Sequence, residues 1–188
     1  LNLWEGEILS RFTWKGNEFN VRTVCHPAQD MISAHIDSHL HTGIKFHFPY
    51  PTGIHTDNAC DWDANDKHST EVLKQDTQSA VLKRTLDSTV YYVELKWEGK
   101  ALLKEKEKNY FVLLPQEDAF SFSCAFIANE PDQLTVLPDF FEVESLAKNH
   151  WVNFWEEGAA VDFSHCTDPR AKELERRVVL SQYLLAIQ

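Results

Sequence analysis

The sequence contains little glycine and proline. Only 6 of its 188 residues are glycine and 7 are proline, which excludes collagen-like and low-complexity chains because both need far more. It has no apolar run near the ~20 residues that span a bilayer, so no membrane association is expected. With 43% hydrophobic residues, the chain can bury one ordinary core plus an appendage.

Positive charge is also scarce. Lysine and arginine number 18 against 29 acidic residues, which gives a net charge of -11 spread along the chain. Such a surface repels phosphate backbones and anionic lipids, so nucleic acid and anionic membranes are excluded as partners. Neutral ligands such as carbohydrates remain open.

Cysteine pairs with metal-site spacing are absent. Cys25, Cys60, Cys124 and Cys166 lie far apart, without the C-x-x-C spacing of a zinc site. Two disulfides are possible, but buried free thiols are the simpler interpretation for a domain of this size. The compartment stays open: Leu1 is not an initiator methionine, so a secretory or periplasmic leader is compatible with the sequence.

Two further patterns suggest metals. His39 and His41 have the i, i+2 spacing that on a strand would point both rings to one side, as a metal site can require, and a metal-dependent β-barrel enzyme is therefore one hypothesis. No third ligand follows nearby, which favours surface histidines. The acidic stretch 61–66 has the alternating oxygen side chains of a calcium loop but lacks its central glycine and final glutamate, so no metal or other cofactor is expected.

Residues 1–130 have the signals of a large antiparallel β-sandwich, a super-sandwich. About ten β-rich segments are separated by short turns, among them the hairpin turns at 15–17 and 98–100. The predicted strands run up to residue 14 and over 18–24, 31–40, 44–48, 70–75, 79–87, 88–97, 101–104, 109–114 and 119–127.

Residues 49–69 interrupt this pattern. They have no period and many turn-forming residues, and loops this long inside a compact domain are usually functional or disordered. One hypothesis is that the loop reaches a ligand pocket, with Tyr50, His55 and Trp62 as substrate-binding candidates. The alternative is a solvated acidic loop.

The pattern becomes helical after the last strand. A linker helix is predicted over 140–155, ended by Gly158, and Asp168 or Thr167 should cap a second helix. The predicted organisation is a sandwich domain over 1–130, a linker-helix region over 131–158, and over 159–188 the start of a helical domain.

The last helix has no stop signal, and its final turns are apolar almost all round. We therefore expect it to continue into a second domain that the chain does not contain, and residues 178–187 to lack partners. Trp151, Phe154 and Trp155 are predicted to join the sandwich to this domain.

The segment 160–184, AVDFSHCTDPRAKELERRVVLSQYL, resembles the domain junction of the six-hairpin glycosidases. So do Trp151 and 154–155 before it, and TVCHP at 23–27 and FHFPYP at 46–51 in the β region. The resemblance implies a super-β-sandwich joined by a linker helix to an (α/α)6 barrel. It also implies that the catalytic carboxylates lie in the barrel, beyond residue 188, so no catalytic residue is assigned here.

Two functions follow as hypotheses. The chain is either the non-catalytic N-terminal sandwich of a glycoside hydrolase acting on oligo- or polysaccharide, or an autonomous carbohydrate-binding module. In the first case it braces the helical barrel and lends the 49–69 loop to the substrate pocket. The sugar, the linkage and the hydrolytic or phosphorolytic chemistry stay undetermined.

Overall fold

The computed structural model describes residues 1–56, 58–131 and 137–187, and it confirms a mainly β, antiparallel fold. The strands are β1 (Glu7–Trp14), β2 (Asn17–Cys25), β3 (Met31–Asp37), β4 (Ile44–His47), β5 (Tyr50–Pro51), β6 (Cys60–Asp61), β7 (His68–Gln75), β8 (Ser79–Leu86), β9 (Thr89–Trp97), β10 (Ala101–Glu107), β11 (Tyr110–Pro115) and β12 (Ala119–Ile127). The helices are α1 (Phe140–Phe154), which continues as a π-helical turn (Trp155–Ala159), and α2 (Ala171–Ala186).

Two sheets form the sandwich. The larger has seven antiparallel strands in the order β1-β2-β3-β12-β9-β8-β7, and the smaller has three in the order β10-β11-β4. A short β5–β6 pair lies within the 49–69 segment that was predicted as a loop. The main core draws on β8, β9 and β12 from the large sheet and on β10 and β11 from the small one. Its buried residues are Ala80, Leu82, Val93, Leu95, Trp97, Leu103, Phe111, Leu113, Phe120 and Cys124.

Helix α1 covers the opposite face of the large sheet. Side chains alternate along a strand, so β12 sends Cys124 to the main core and Ala125 to the helix. The helix begins with a capping box in which Asp139 accepts from the backbone of Glu142 and Glu142 accepts from that of Asp139. The second core, beneath α1, contains Val24, Met31, Ala125, Leu137, Phe140, Val143 and Ala147.

The residues just before α1 are held to the sandwich by polar contacts. Lys96 donates to the carbonyl of Leu137 at 2.5 Å, and the Ser123 hydroxyl donates to the carbonyl of Pro138 at 3.1 Å. Gly158 follows with a φ of 116°, a conformation that glycine tolerates best. The helix predicted over 140–155 is confirmed, with non-helical backbone at Gly158 as expected.

Helix α2 begins later than the sequence suggested. Asp168 was predicted to cap it, but its carboxylate accepts the backbone N–H of Arg170 at 2.8 Å in a turn that precedes the helix. The helix starts at Ala171 with no side-chain cap, so the cap prediction was wrong. In the described part of the chain, neither helix is long and apolar enough to cross a membrane.

Candidate functional surfaces

An aromatic cluster joins the N-terminal segment to both helices. The indole N–H of Trp155 donates to the carbonyl of Leu3 at 2.8 Å. Trp151 lies so close to Gly6 that an added Cβ would come within 2.1 Å of its ring. Trp151 also meets Tyr183 of α2, with ring centroids 4.8 Å apart. Trp151 therefore contacts both the N-terminal segment and α2.

Phe154 completes this cluster from within α1. Its ring packs edge-on against Trp151 and Trp155 at centroid distances of 5.4 and 4.9 Å. Burial, and then the nearby Cys25, raise the pKa of the Tyr183 hydroxyl on α2. The cluster thus packs against α2 through Tyr183, and the three predicted interface residues lie together.

The rest of α2 is largely uncovered. Its exposed apolar side chains are Leu174, Leu184 and Leu185, with Ile187 just after the helix. Leu185 is 75% exposed, although the all-round apolar pattern is typical of a buried helix. The main polar contact outside the helix is the Glu175 carboxylate, which accepts the backbone N–H of Phe163 at 2.6 Å.

The structure separates the three substrate-binding candidates of the 49–69 segment. Trp62 is 49% exposed, and its ring centroid lies 4.8 Å from that of His47. Tyr50 instead donates its hydroxyl to Asp87 at 3.1 Å, and this hydrogen bond raises its pKa. His55 is exposed. His47 of β4 also meets the half-buried Tyr110 of β11 at 5.0 Å, so Trp62 is the candidate that lies in an aromatic group.

A buried polar network holds the end of this segment. The Arg84 guanidinium donates to Thr70 at 2.7 Å and contacts the Nδ1 of His68 at 2.9 Å. Asn109 accepts from Thr70 at 2.9 Å and donates to Asn65 of the segment. Burial, and then the charge of Arg84, lower the pKa of His68, which favours the neutral histidine. The network therefore holds the segment with the charged Arg84 and a neutral His68.

The histidine prediction needs correction. His39 and His41 do not lie on a strand, because β3 ends at Asp37 and β4 starts at Ile44. Both rings hydrogen-bond Asp118, His39 at 2.7 Å and His41 at 2.8 Å. Across the described ranges, no group of three or more potential ligands is arranged to hold a metal ion.

The cysteine prediction is right for one residue. The four cysteines are free thiols, and of them only Cys124 is buried, which raises its pKa to about 12. Cys25, Cys60 and Cys166 are exposed, so buried thiols were the wrong interpretation for them.

One concave surface was missed by sequence reasoning. A groove of about 410 Å³ is lined by residues of β1, β2, β3 and β12 in the large sheet and by Lys45 of β4 and Pro115 of β11 in the small sheet. Its apolar residues are Phe12, Trp14, Phe19, Val21, Ile36, Leu40, Pro115 and Phe120, and its polar ones are Ser38, His41, Thr42, Lys45, Glu117 and Asp118. The signal was the i, i+2 spacing of Phe12 and Trp14, which places two aromatic rings on one face of β1.

Comparisons with known proteins find similarity among solved structures. No family model matches the chain, and no curated protein matches it. A solved structure named "Putative kojibiose phosphorylase from human microbiome" is similar over 99% of this chain, at 12% identity and a TM-score of 0.48. The chain spans 24% of the length of that structure. At this level of similarity, the name describes that protein and assigns no activity to this chain.

Proposed function

We propose that this chain is the non-catalytic N-terminal sandwich of a glycoside hydrolase that acts on oligo- or polysaccharide, and that it braces a helical catalytic domain. One observation carries the proposal: α2 is attached to the sandwich through Tyr183 and Trp151, yet it leaves Leu184 and Leu185 exposed. Contiguous exposed apolar side chains mark interaction sites. The resemblance of 160–184 to a glycosidase junction indicates that the occupant is helical.

Bracing requires a rigid support, and α1 has the contacts for it. Its apolar face is buried on the large sheet and its first turn carries a capping box. Arg22 of β2 also pairs with Glu144 of α1. A domain seated on α2 would thus be oriented by the sandwich through α1 and the aromatic cluster. The further role, that the 49–69 segment reaches the substrate, would use Trp62.

The first test is the coding sequence downstream of residue 188. We expect several hundred codons that specify paired amphipathic helices, with carboxylates between them. A stop codon directly after residue 188 would overturn the bracing role within one polypeptide. The chain of 188 residues should cleave no glycoside, and glycosidase activity of the purified chain would contradict its non-catalytic assignment.

A second test uses the exposed face of α2. Leu185→Asp should reduce binding of an apolar fluorescent dye and any self-association seen by light scattering. The matched control is Leu102→Asp on β10, which is also an exposed leucine and should leave both unchanged. Equal effects of the two changes would show that α2 is not a special surface.

One observation favours the second function, an autonomous carbohydrate-binding module. Trp62 is half exposed beside His47 and Tyr110, and amphipathic aromatic rings are suited to partly polar ligands. Calorimetric titration with a glycan panel should then give heat that Trp62→Ala removes. No heat with any glycan would count against this function.

A further inference from the structure

The groove on the large sheet combines a buried aromatic floor with open aromatic walls. Phe19 and Phe120 are buried at its floor, whereas Phe12 is 50% and Trp14 45% exposed. Phe12 stacks on Phe19 with ring centroids 5.0 Å apart and planes 2° apart. The ring of Phe12 is therefore held in place by a buried neighbour, as a preformed ligand site requires.

The rim of the groove carries fixed hydrogen-bond acceptors. Asp118 is held by both His39 and His41, whose hydrogen bonds lower the pKa of its carboxyl group. Glu117 accepts the backbone N–H of Lys100 at 3.2 Å. Lys45 lines the same groove. Carboxylate acceptors thus lie beside an apolar floor.

We propose that this groove binds a neutral saccharide, which stacks one face on Phe12 and Trp14 and donates hydroxyl hydrogen bonds to Asp118 and Glu117. The choice of saccharide rests on the proposed function, whereas the existence of a ligand site rests on the groove. Among the described residues of the 49–69 segment none lines the groove, so the groove is separate from the surface around Trp62.

The composition of the groove favours a neutral, partly polar ligand over other classes of small ligand. A wholly apolar ligand would offer no hydrogen-bond donor to the carboxylates at the rim. An anion would meet Asp118 and Glu117 on a chain of net charge -11. A cation would compete with the ammonium group of Lys15, which already lies 4.5 Å from the centroid of Trp14, and would be repelled by Lys45. A sugar ring offers both a C–H face and hydroxyl donors without charge.

The test titrates the full chain with neutral oligosaccharides, covering α- and β-linked glucans, mannans, xylans and galactans. With a binding sugar, the backbone amide resonances of Ser38, Thr42 and Glu117 should shift. In calorimetry, Trp14→Ala should weaken affinity about tenfold or more, since it removes one stacking ring. The matched control is Phe126→Ala on β12, which removes a similarly exposed aromatic ring outside the groove and should bind like the unaltered chain. Asp118→Asn should weaken binding without removing it.

Three results would overturn the proposal. The first is no binding of any sugar in the panel, and the second is loss of binding in Trp62→Ala with binding kept in Trp14→Ala. The third is a dimer that Trp14→Ala dissociates, because a second copy would then cover the groove. The amide shifts are measured on the unaltered chain, so they test binding in the groove even if a variant folds poorly. None of these results touches the bracing role, which is tested by the downstream coding sequence and by α2.

Discussion

The two helices differ in environment far more than in length. Helix α1 has 15 residues, a capping box and three buried side chains, Phe140, Val143 and Ala147. Helix α2 has 16 residues, no side-chain cap and, among its described side chains, only Ala171 buried. Most of a helix's stability in a protein comes from packing of its apolar face. The difference shows that α1 packs as part of the sandwich, whereas most of the apolar surface of α2 is exposed.

The difference arises from what lies opposite each helix. Beneath α1, β2, β3 and β12 present the small or apolar residues Val24, Met31 and Ala125. Beside α2, the main side-chain neighbour is Trp151, which meets Tyr183. An amphipathic pattern predicts which face of a helix is apolar. Whether that face is buried depends on the elements that pack beside it.

The largest expected effect is on the buried face of α1. Phe140 is 1% exposed in the second core, so Phe140→Ala should lower the free energy of unfolding by about 3–5 kcal/mol. The adjacent Phe141 is half exposed, so Phe141→Ala should cost about 1 kcal/mol or less. Urea denaturation followed by tryptophan fluorescence measures both. Similar losses for the two variants would contradict the assignment of α1 to the sandwich.

The next effect concerns the aromatic cluster at the end of α1. Gly6 has a φ of 68°, and a Cβ there would lie 2.1 Å from the Trp151 ring. Gly6→Ala should therefore cost about 2–3 kcal/mol, from the left-handed backbone and the displaced indole together. Gly16 has a similar φ of 77° with no atom near its added Cβ, so Gly16→Ala should cost about 1 kcal/mol, the backbone part alone. Equal losses in denaturant would show that the Trp151 contact has no energetic weight.

A smaller effect is expected at the helix starts. Asp139→Ala removes the capping box of α1 and should lower stability by about 1 kcal/mol. Asp168→Ala removes a carboxylate that precedes α2 without capping it, so it should leave the global unfolding transition unchanged. Thermal denaturation followed by circular dichroism compares the two. A shift for Asp168→Ala as large as that for Asp139→Ala would mean that α2 unfolds together with the sandwich.

Much of the fold was predictable because its signals are local. The turn at 15–17, the strand alternation and the stop at Gly158 each act within a few residues. The pairing of Asp118 with His39 and His41 spans 77 or more positions and depends on how β3, β4 and β12 are arranged. The groove was missed for the same reason, since it forms where β1, β2, β3 and β12 meet Lys45 and Pro115 of the small sheet, which is a tertiary outcome that no periodicity encodes.

The smallest effect concerns the ion pairs of α2, at Glu173. Hydrogen bonds from the guanidinium groups of Arg176 and Arg177, at 2.8 Å each, lower the pKa of its carboxyl group from 4.5 to about 2. Because the folded pKa is depressed, this contribution is complete above about pH 4.5 and is lost as the pH falls towards 2. The pairs are exposed and solvent-screened, so Glu173→Gln should not move the global unfolding transition. Carbon NMR titration of the Glu173 carboxyl should give the depressed pKa, and Arg176→Gln combined with Arg177→Gln should return it towards 4.5. An ordinary pKa in the unaltered chain would show that these ion pairs do not persist in solution. Helix α2 would then lack stabilisation from these pairs in addition to having few buried side chains.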